Sequence, residues 1–231
     1  GATLDYQPGI GSITFSGTAP AGSHGIQSGY ATFNGLDWVT SGATAGQYTG
    51  YTAWAGALAP VAATNYSIAG AASTSGAGSV NSLKLTGGAA LTLGGALGFT
   101  TNPGGLLFDN SAGTASITGA FALGTAAQEL VITTNGSSPA VAPASGAALT
   151  TGNALTIGSG SSNTTISSGA GSLTKTGNGT LILFGNNVYT GNTTINQGAI
   201  QMSGATAALG LLTTAGNQTA IRQGAILDVN G

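Results

Sequence analysis

The segment from Leu173 to Gln201, LTKTGNGTLILFGNNVYTGNTTINQGAIQ, constrains the fold of this chain more than any other stretch. Apolar residues at Leu173, Leu181, Leu183 and Ile195 alternate there with Thr, Asn and Lys. Alternation with a period of two is typical of a half-buried β-strand, and Gly or Asn between such runs indicates turns. Glycines divide the segment at positions 177, 179, 185, 191 and 198. We therefore predict a series of short strands separated by tight corners.

The same segment resembles the autotransporter-associated β-strand repeat of large secreted bacterial surface proteins. The residues that carry the resemblance are Leu173, Lys175, Gly177, Gly179, Thr180, Leu181, Leu183, Gly185, Asn187, Tyr189, Thr190, Gly191, Thr193, Ile195, Gly198 and Ile200. The segment departs from the usual pattern at Phe184, where a small polar residue is expected, and at Val188, where Thr is expected. The resemblance is most specific at 173–201, and it implies a right-handed parallel β-helix that is exported as part of a passenger region.

The composition of the chain agrees with a folded, turn-dense β protein. Only 3% of its 231 residues are charged, whereas ordinary soluble domains carry roughly a quarter. The chain contains 42 glycines, which favour turns over helices. Disorder does not fit, because disordered chains lack apolar residues and this chain is 41% hydrophobic. We expect an all-β fold whose surface consists mainly of Thr, Ser and Asn.

The charges and the absence of cysteine argue against several classes of partner and ligand. Three basic residues and a net charge of −2 cannot neutralise the run of phosphates that nucleic acid presents, and they give little attraction to an anionic membrane. No apolar run approaches the ~20 residues of a spanning helix, and no basic region followed by an apolar stretch opens the chain as in a signal peptide. Without cysteine there are no disulfides or thiolate metal sites. We therefore expect no nucleic-acid partner, membrane insertion or cofactor.

Short strand-like runs recur about every 8–12 residues from position 79 onward, a spacing that suits either a hairpin-built antiparallel sandwich or a solenoid. Small pieces of sequence repeat one another (SLKLTGGAALTL, NALTIGSG, SLTKTGNGTLIL), which favours a solenoid. We also expect the Asn-Gly pairs at Asn34 and Asn135 not to form two-residue hairpins. Coils of roughly 20–25 residues predict about ten coils and a rod on the order of 50 Å long. The stretch Ser137–Gly146, with two prolines, is predicted to be an extruded loop.

The first 78 residues differ from the rest, which divides the chain into 1–78 and 79–231. Nine of the fourteen aromatic residues lie in 1–78, so this part is predicted to be an irregular start of the solenoid: a cap, a junction or an elaboration on its side. Gly1–Asp5 (GATLD) and Gly224–Asp228 (GAILD) are similar. That similarity suggests tandem modules or copies that stack end to end, and chance is the rival explanation. We therefore expect self-association, end to end or side by side.

The aromatic residues of the first third give the sharpest candidate for a binding site. Trp38 and Trp54, with Tyr48 and Tyr51, would form a surface for stacking on a glycan or contacting a protein if their rings were exposed. The competing interpretation is that they pack in a core, since aromatic side chains dominate cores.

Catalysis requires converging carboxyls, because general acid and base must meet in one cleft within about a nanometre of each other. The interior candidates are Asp37, Asp109 and Glu129, and none forms a short-range motif with another. Lys84 is the one cation expected near Asp109, about one coil away. We expect these carboxylates to serve loop capping and solubility, and we predict no catalytic, cofactor-binding or metal-ligating residue. His24 has no second histidine to complete a metal site.

These observations predict an extracellular structural segment, a stalk, spacer or fibre-forming part of a larger autotransporter-like surface protein. The first alternative is an adhesin that recognises glycan or a host protein through the aromatic-rich N-terminal third. The remote alternative is a β-helix enzyme that cleaves polysaccharides. Exposed tryptophans would favour the adhesin, and two carboxylates in one cleft would favour the enzyme.

Overall fold

The computed structural model describes residues 3–7, 13–14, 22, 24–41, 44–109, 113–124, 127–136, 149, 152–160, 164–167, 171–204, 207–211 and 217–229. Every regular element in these ranges is a β-strand, so the predicted all-β class is confirmed. Across the same ranges, no helix has the length and apolar character needed to cross a membrane.

The N-terminal part forms small sheets of mixed direction. Its strands are β1 (Leu4–Tyr6), β2 (Ile13–Thr14), β3 (Ala31–Phe33), β4 (Asp37–Trp38) and β5 (Thr44–Ala45). Strand β3 pairs parallel with β1 and antiparallel with β4, and we call these three strands the N-terminal sheet. Strands β2 and β5 form a separate antiparallel pair. These sheets of mixed direction lie within residues 4–45, and the strands from Thr52 onward belong to the regular stack described below.

The turn between β3 and β4 contains the Asn34–Gly35 pair. Asn34 and Gly35 both have positive φ, 52° and 63°, and the Leu36 amide donates to the Phe33 carbonyl at 3.1 Å. This geometry suits Asn-Gly because both residues tolerate the left-handed region. Asn34 and Gly35 thus lie at the centre of a turn in a connection of three residues between the paired residues Phe33 and Asp37, which is longer than a two-residue hairpin loop.

The remaining strands form a parallel stack. Its first half contains β6 (Thr52–Ala53), β7 (Gly56–Leu58), β8 (Asn65–Ile68), β9 (Ala71–Thr74), β10 (Gly78–Val80), β11 (Ser82–Thr86), β12 (Ala90–Leu93), β13 (Leu97–Phe99), β14 (Gly104–Asp109) and β15 (Ala115–Gly119). Its second half contains β16 (Ala122–Leu123), β17 (Leu130–Thr134), β18 (Ala154–Ile157), β19 (Thr165–Ile166), β20 (Leu173–Thr176), β21 (Thr180–Leu183), β22 (Thr193–Ile195), β23 (Ala199–Met202), β24 (Thr219–Ile221) and β25 (Ile226–Asp228).

These strands build three faces of a solenoid. Face one stacks β6, β8, β11, β14, β17, β20, β22 and β24, and face two stacks β7, β9, β12, β15, β18, β21, β23 and β25. Face three stacks β10, β13, β16 and β19. Because neighbours in each face run parallel and consecutive strands go to different faces, the chain is a parallel β-helix, as predicted, and not a hairpin-built sandwich. The predicted handedness of the β-helix is right-handed, which is the handedness of almost all crossover connections between parallel strands.

The coils are fewer and less uniform than predicted. Faces one and two hold eight strands each, so the stack spans roughly 34 Å at the ~4.8 Å interstrand spacing, not 50 Å. Paired positions advance by 20 residues from Lys175 to Ile195 but by 43 from Ile132 to Lys175. The longer coil includes the predicted loop Ser137–Gly146, which lies outside the described residues. The estimate of ten coils was too high because long connections and the N-terminal sheets use residues that uniform coils would have used.

Inward-facing residues stack in columns along the solenoid. One column of face one consists of Tyr66, Leu83, Leu106, Ile132, Lys175 and Ile195, each paired in register with the next. All six are buried. They belong, with the exception of Lys175, to a single apolar cluster that runs from Trp54 to Met202. The core is therefore one continuous filled rod, which is the packing that a solenoid requires.

The N-terminal part lies against the outer side of face one. Trp38 packs with Ile26 and with Leu107 of β14. A Cβ atom on Gly29 would lie 2.6 Å from the Cα of Gly105, so the two backbones approach too closely for any residue other than glycine at these positions. These two glycines therefore allow the N-terminal part to pack directly against face one. We call this contact region the joint.

Candidate functional site

The two tryptophans lie in cores rather than on an open surface. Trp38 is 0% exposed and is covered by the joint described above, while Trp54 is 2% exposed. The Trp54 ring packs against Tyr66 in the solenoid core, with ring centroids 5.0 Å apart. The exposed ring faces that the stacking hypothesis needs at Trp38 or Trp54 are not found, because both rings are used in packing. The packing interpretation accounts for both residues.

Tyr48 and Tyr51 occupy the edge of the joint. Both are half-buried, and their rings meet edge to face with centroids 5.0 Å apart. The Tyr48 hydroxyl donates to the Gly50 carbonyl at 2.8 Å, and the Tyr51 hydroxyl accepts the Trp38 backbone N–H at 3.1 Å. These two tyrosines therefore fix the backbone of β4 and the loop after it, and a contact with glycan or protein stays a prediction for them.

A buried charged cluster lies beneath Tyr51. Lys84 points outward from β11, because its neighbours Leu83 and Leu85 face the core. Its amine lies 2.5 Å from Oδ1 of Asp37 in β4 and 3.5 Å from Oδ2 of Asp109 at the end of β14. The three side chains are between 8% and 12% exposed. The cluster joins the N-terminal sheet to two successive coils of face one, and the expected proximity of Lys84 to Asp109 is confirmed.

Neighbouring polar groups complete this cluster. Gln47 Nε2 donates to Oδ2 of Asp37 at 2.6 Å, so both oxygens of that carboxylate are bonded. The Tyr51 ring covers the Lys84 amine at 5.4 Å from the ring centroid, within the range of a cation–π contact. Burial raises the pKa of Tyr51 well above its usual value, and the nearby Asp37 carboxylate adds to that shift. The Tyr51 hydroxyl thus stays protonated at neutral pH.

The three predicted carboxylates do not all meet. Asp37 and Asp109 contact the same amine, so they lie well within the nanometre set for converging carboxyls. Glu129 precedes β17 at the opposite end of the paired strands, about six residues along the strand direction from Asp109, which is roughly 20 Å at ~3.3 Å per residue. Its carboxylate accepts the Thr174 hydroxyl at 2.5 Å. The expectation of loop capping and solubility is wrong for Asp37 and Asp109, because both are buried with a lysine between them.

A polar pocket lies where the N-terminal sheet meets the corner after β20. Its volume is about 320 Å³, and it is lined by Thr3, Leu4, Asp5, Gln7, Thr32, Thr133, Asn135, Thr176, Gly177, Asn178 and Gln197. The Asp5 carboxylate accepts the Thr32 hydroxyl at 2.9 Å and the Gly35 N–H at 2.7 Å. Thr133 is 3% exposed, and within the described ranges its hydroxyl has no hydrogen-bond partner. The sequence analysis missed this pocket because five separate segments form it.

The corner beside the pocket contains a second buried lysine. Lys175 is 0% exposed, and its amine donates to the carbonyls of Thr176 and Gly177 at 2.8 Å and of Gln197 at 3.0 Å. Burial lowers the pKa of this amine well below its usual value. A Cβ on Gly198 would lie 2.5 Å from the Gly177 carbonyl oxygen and 2.9 Å from the amine. Two glycines and a lysine therefore close this corner of the repeat.

Metal ligation finds no support in the described part of the chain. His24 Nδ1 lies 3.0 Å from Oδ1 of Asn81. Among the residues that the structure describes, no group of three His, Cys, Asp or Glu side chains converges to hold an ion.

Comparison with protein families identifies the family that the most regular part of the chain matches. Residues 173–202 match the passenger-associated-transport-repeat family, which confirms the resemblance carried by Leu173–Gln201. No curated protein and no solved structure gives a significant match. The matched residues are the strands β20 to β23, so the family repeat is one and a half coils of the solenoid. The chain is therefore an all-β protein that carries a passenger-associated-transport repeat, of the autotransporter passenger type, at residues 173–202.

Proposed function

We propose that this chain is an extracellular structural segment of an autotransporter-like surface protein, which holds other parts of that protein away from the cell. The observation that carries the proposal is the family repeat embedded in a stack of eight parallel coils. A filled stack resists bending because each strand is hydrogen-bonded to its neighbours along the rod axis and the apolar columns leave little room to shear.

The composition of the surface suits a segment that packs close to other copies of itself. With 3% charged residues, the outer surface offers little electrostatic repulsion between copies. Strands β24 and β25 are the last described strands of faces one and two. Ile221, which ends β24, and Val229, which follows β25, are 49% and 76% exposed. An edge of this kind can pair with a further coil or with a second copy. We propose that copies of the chain associate end to end through that edge.

The purified chain tests this proposal directly. Small-angle scattering and negative-stain electron microscopy at physiological salt should give elongated particles that join end to end. Adding a charged residue on the terminal edge, as in Ile221→Lys, should shorten the assemblies without changing the circular dichroism spectrum. Dispersed single rods in both samples would contradict self-association, and compact spherical particles would contradict the spacer role itself.

Display at the cell surface tests the location. The chain fused to an autotransporter translocator should become accessible to added protease on intact cells. Protection from protease in intact cells, with digestion after lysis, would contradict an extracellular role.

A second candidate function, a binding module, is favoured by the polar pocket rather than by the tryptophans. The pocket offers hydroxyl, amide and carboxylate groups without an aromatic platform, which suits a small ligand rich in hydroxyl groups such as one sugar unit. The Thr133 hydroxyl and Asn135 Nδ2 both lack partners within the described residues, so a ligand could satisfy them.

Glycan-array binding separates the two candidates. Binding that is lost in Thr133→Val, but kept in an exposed control such as Thr100→Val, would support the pocket. Absence of binding to every glycan on the array would leave the structural role as the function supported.

A further inference from the structure

The contact between Lys84 and Asp37 is closer and better enclosed than an ordinary surface ion pair. The amine and Oδ1 are 2.5 Å apart, and both side chains are about nine-tenths buried between the N-terminal sheet and face one. Surface pairs gain little because water screens them, whereas burial of charge costs free energy that pairing repays only in part. We propose that Lys84 and Asp37 become joined by an amide bond in the folded chain, with Asp109 as the proton relay.

The first step removes the charge from the pair. A proton passes from the Lys84 ammonium to Oδ1 of Asp37, which leaves a neutral amine beside a neutral carboxylic acid. A low-dielectric site favours this transfer because two neutral groups need less solvation than two ions. Both side chains are about nine-tenths buried, and the ring of Tyr51 covers the amine, so little water reaches the pair.

The second step forms the amide and releases one water molecule. The lone pair of Nζ attacks Cγ of Asp37, and the electrons of the carbonyl bond move to Oδ2. Gln47 Nε2, 2.6 Å from Oδ2, stabilises the negative charge that develops there. The Asp109 carboxylate takes a proton from the attacking nitrogen and gives it to the Oδ1 hydroxyl, whereupon the C–Oδ1 bond breaks and water leaves. Asp109 is regenerated as a carboxylate, so lysine and aspartic acid give one amide and one water.

The second lysine of the chain is an internal control. Lys175 is also buried, but within the described ranges its amine contacts backbone carbonyl oxygens and not a carboxylate. An amide carbonyl does not lose an oxygen as water under these conditions, so no cross-link forms there. The chemistry is therefore assigned to the one lysine that has two carboxylates within 3.5 Å of its amine.

The bond would close a loop of the backbone between positions 47 residues apart. It would attach the N-terminal sheet covalently to β11 of the solenoid. A cross-link over a loop of that length restricts the unfolded chain as a disulfide does, and this chain has no cysteine with which to form one. The N-terminal sheet of a secreted chain would then stay attached to the solenoid under reducing conditions and during transient unfolding.

Mass spectrometry of the unmodified, denatured chain tests the proposal. We expect a mass lower than that of the sequence by one water, and acetylation of one lysine rather than two. Trypsin should cut after Lys175 but not after Lys84, and fragmentation should place the branch between Asp37 and Lys84. A full sequence mass with both lysines acetylated, or a missing water located elsewhere, overturns the proposal.

Two variants define the roles of the side chains. Lys84→Arg keeps the positive charge but cannot form this amide, so its mass should equal its sequence while its circular dichroism spectrum is unchanged. Asp109→Asn keeps Lys84 and Asp37 but removes the relay, and its mass should also equal its sequence. Complete loss of water in Asp109→Asn would overturn the role of Asp109, and loss of water in Lys84→Arg would overturn the cross-link itself.

Discussion

The repeat at 173–202 and the N-terminal sheet use the same kinds of residue in opposite ways. In the repeat, each side chain is defined by its position in a coil, and the equivalent position in the next coil lies in register with it, as Leu181 does with Ile200 and Leu183 with Met202. In the N-terminal sheet, each side chain has a partner found once in the structure, such as Asp37 with Lys84. Stacking therefore tolerates variation between coils, whereas the joint depends on a few specific contacts.

The two lysines illustrate this difference. Lys175 lies in an aliphatic column and donates to three carbonyls of its own corner, so its environment comes from the coil. Lys84 projects from the opposite side of the same face and contacts carboxylates from two other segments. One lysine completes a repeat unit, and the other attaches a different structure to it.

The largest expected effect comes from removing Lys84. Lys84→Ala removes the proposed cross-link and leaves Asp37 and Asp109 buried beside each other without the Lys84 amine, which should cost at least about 3–5 kcal/mol. The loss should fall on the N-terminal sheet, because the solenoid columns do not include these side chains. Hydrogen exchange should therefore show lower protection in β3 and β4, with protection in β14 and β17 retained.

An exposed cation provides the control for this variant. Arg222 is exposed at the far end of the solenoid, so Arg222→Ala should change the free energy of unfolding by no more than about 0.5 kcal/mol. Equal losses in the two variants, or loss of protection throughout the solenoid in Lys84→Ala, would show that the joint is not a separate unit.

The second prediction concerns the corner of the repeat. Gly177 has φ +77°, and a Cβ there would lie 2.3 Å from the Thr134 carbonyl oxygen of the coil below. Gly177→Ala should therefore destabilise the chain by about 3 kcal/mol, through backbone strain and a clash together. Gly88 has φ +85° but open space around the added Cβ, so Gly88→Ala should cost only about 1 kcal/mol. Urea denaturation of the two variants checks the difference, and equal losses would rule out the clash.

The sequence predicted the repeat because local patterning determines it. Period-two alternation even places Lys175 on the same side as Leu173, so its position in the core followed from the pattern although it was not recognised. The joint could not be predicted in this way. Asp37, Lys84 and Asp109 are far apart in the chain, and no local pattern indicates which outward-facing residue of a coil another structure will cover.

The third prediction is a dependence of stability on pH that comes from Lys175. Its pKa in the folded chain is well below the 10.5 of an exposed lysine, so the unfolded chain binds more protons between these two values. Stability should therefore rise with pH toward 10.5, with a slope of up to about 1.4 kcal/mol per pH unit.

Lys175→Met provides the comparison because it keeps the length of the side chain and removes its titration. Its free energy of unfolding should be nearly flat over this range. Above it, Tyr189 acts in the other direction, since burial raises its pKa to about 12 and the unfolded tyrosine ionises first. Parallel pH profiles for the wild type and Lys175→Met would contradict the effect.

The smallest expected effects on stability come from substituting two buried threonines of face one. Thr134 faces the core above Phe108, and within the described ranges its hydroxyl has no hydrogen-bond partner. The hydroxyl of Thr193 lies 2.6 Å from the hydroxyl of Tyr189. Valine has nearly the same shape as threonine, so each substitution removes little more than a hydroxyl. Thr134→Val should stabilise the chain by about 1 kcal/mol, because an unpaired polar group leaves the core.

Thr193→Val should destabilise it by about 1 kcal/mol, because the Tyr189 hydroxyl then loses its partner. Thermal unfolding at neutral pH checks both signs. A loss of stability in Thr134→Val would mean that its hydroxyl is bonded in solution. The core of face one would then depend on specific polar contacts as the joint does, and the contrast between stacking in the repeat and unique pairs in the N-terminal sheet would no longer hold.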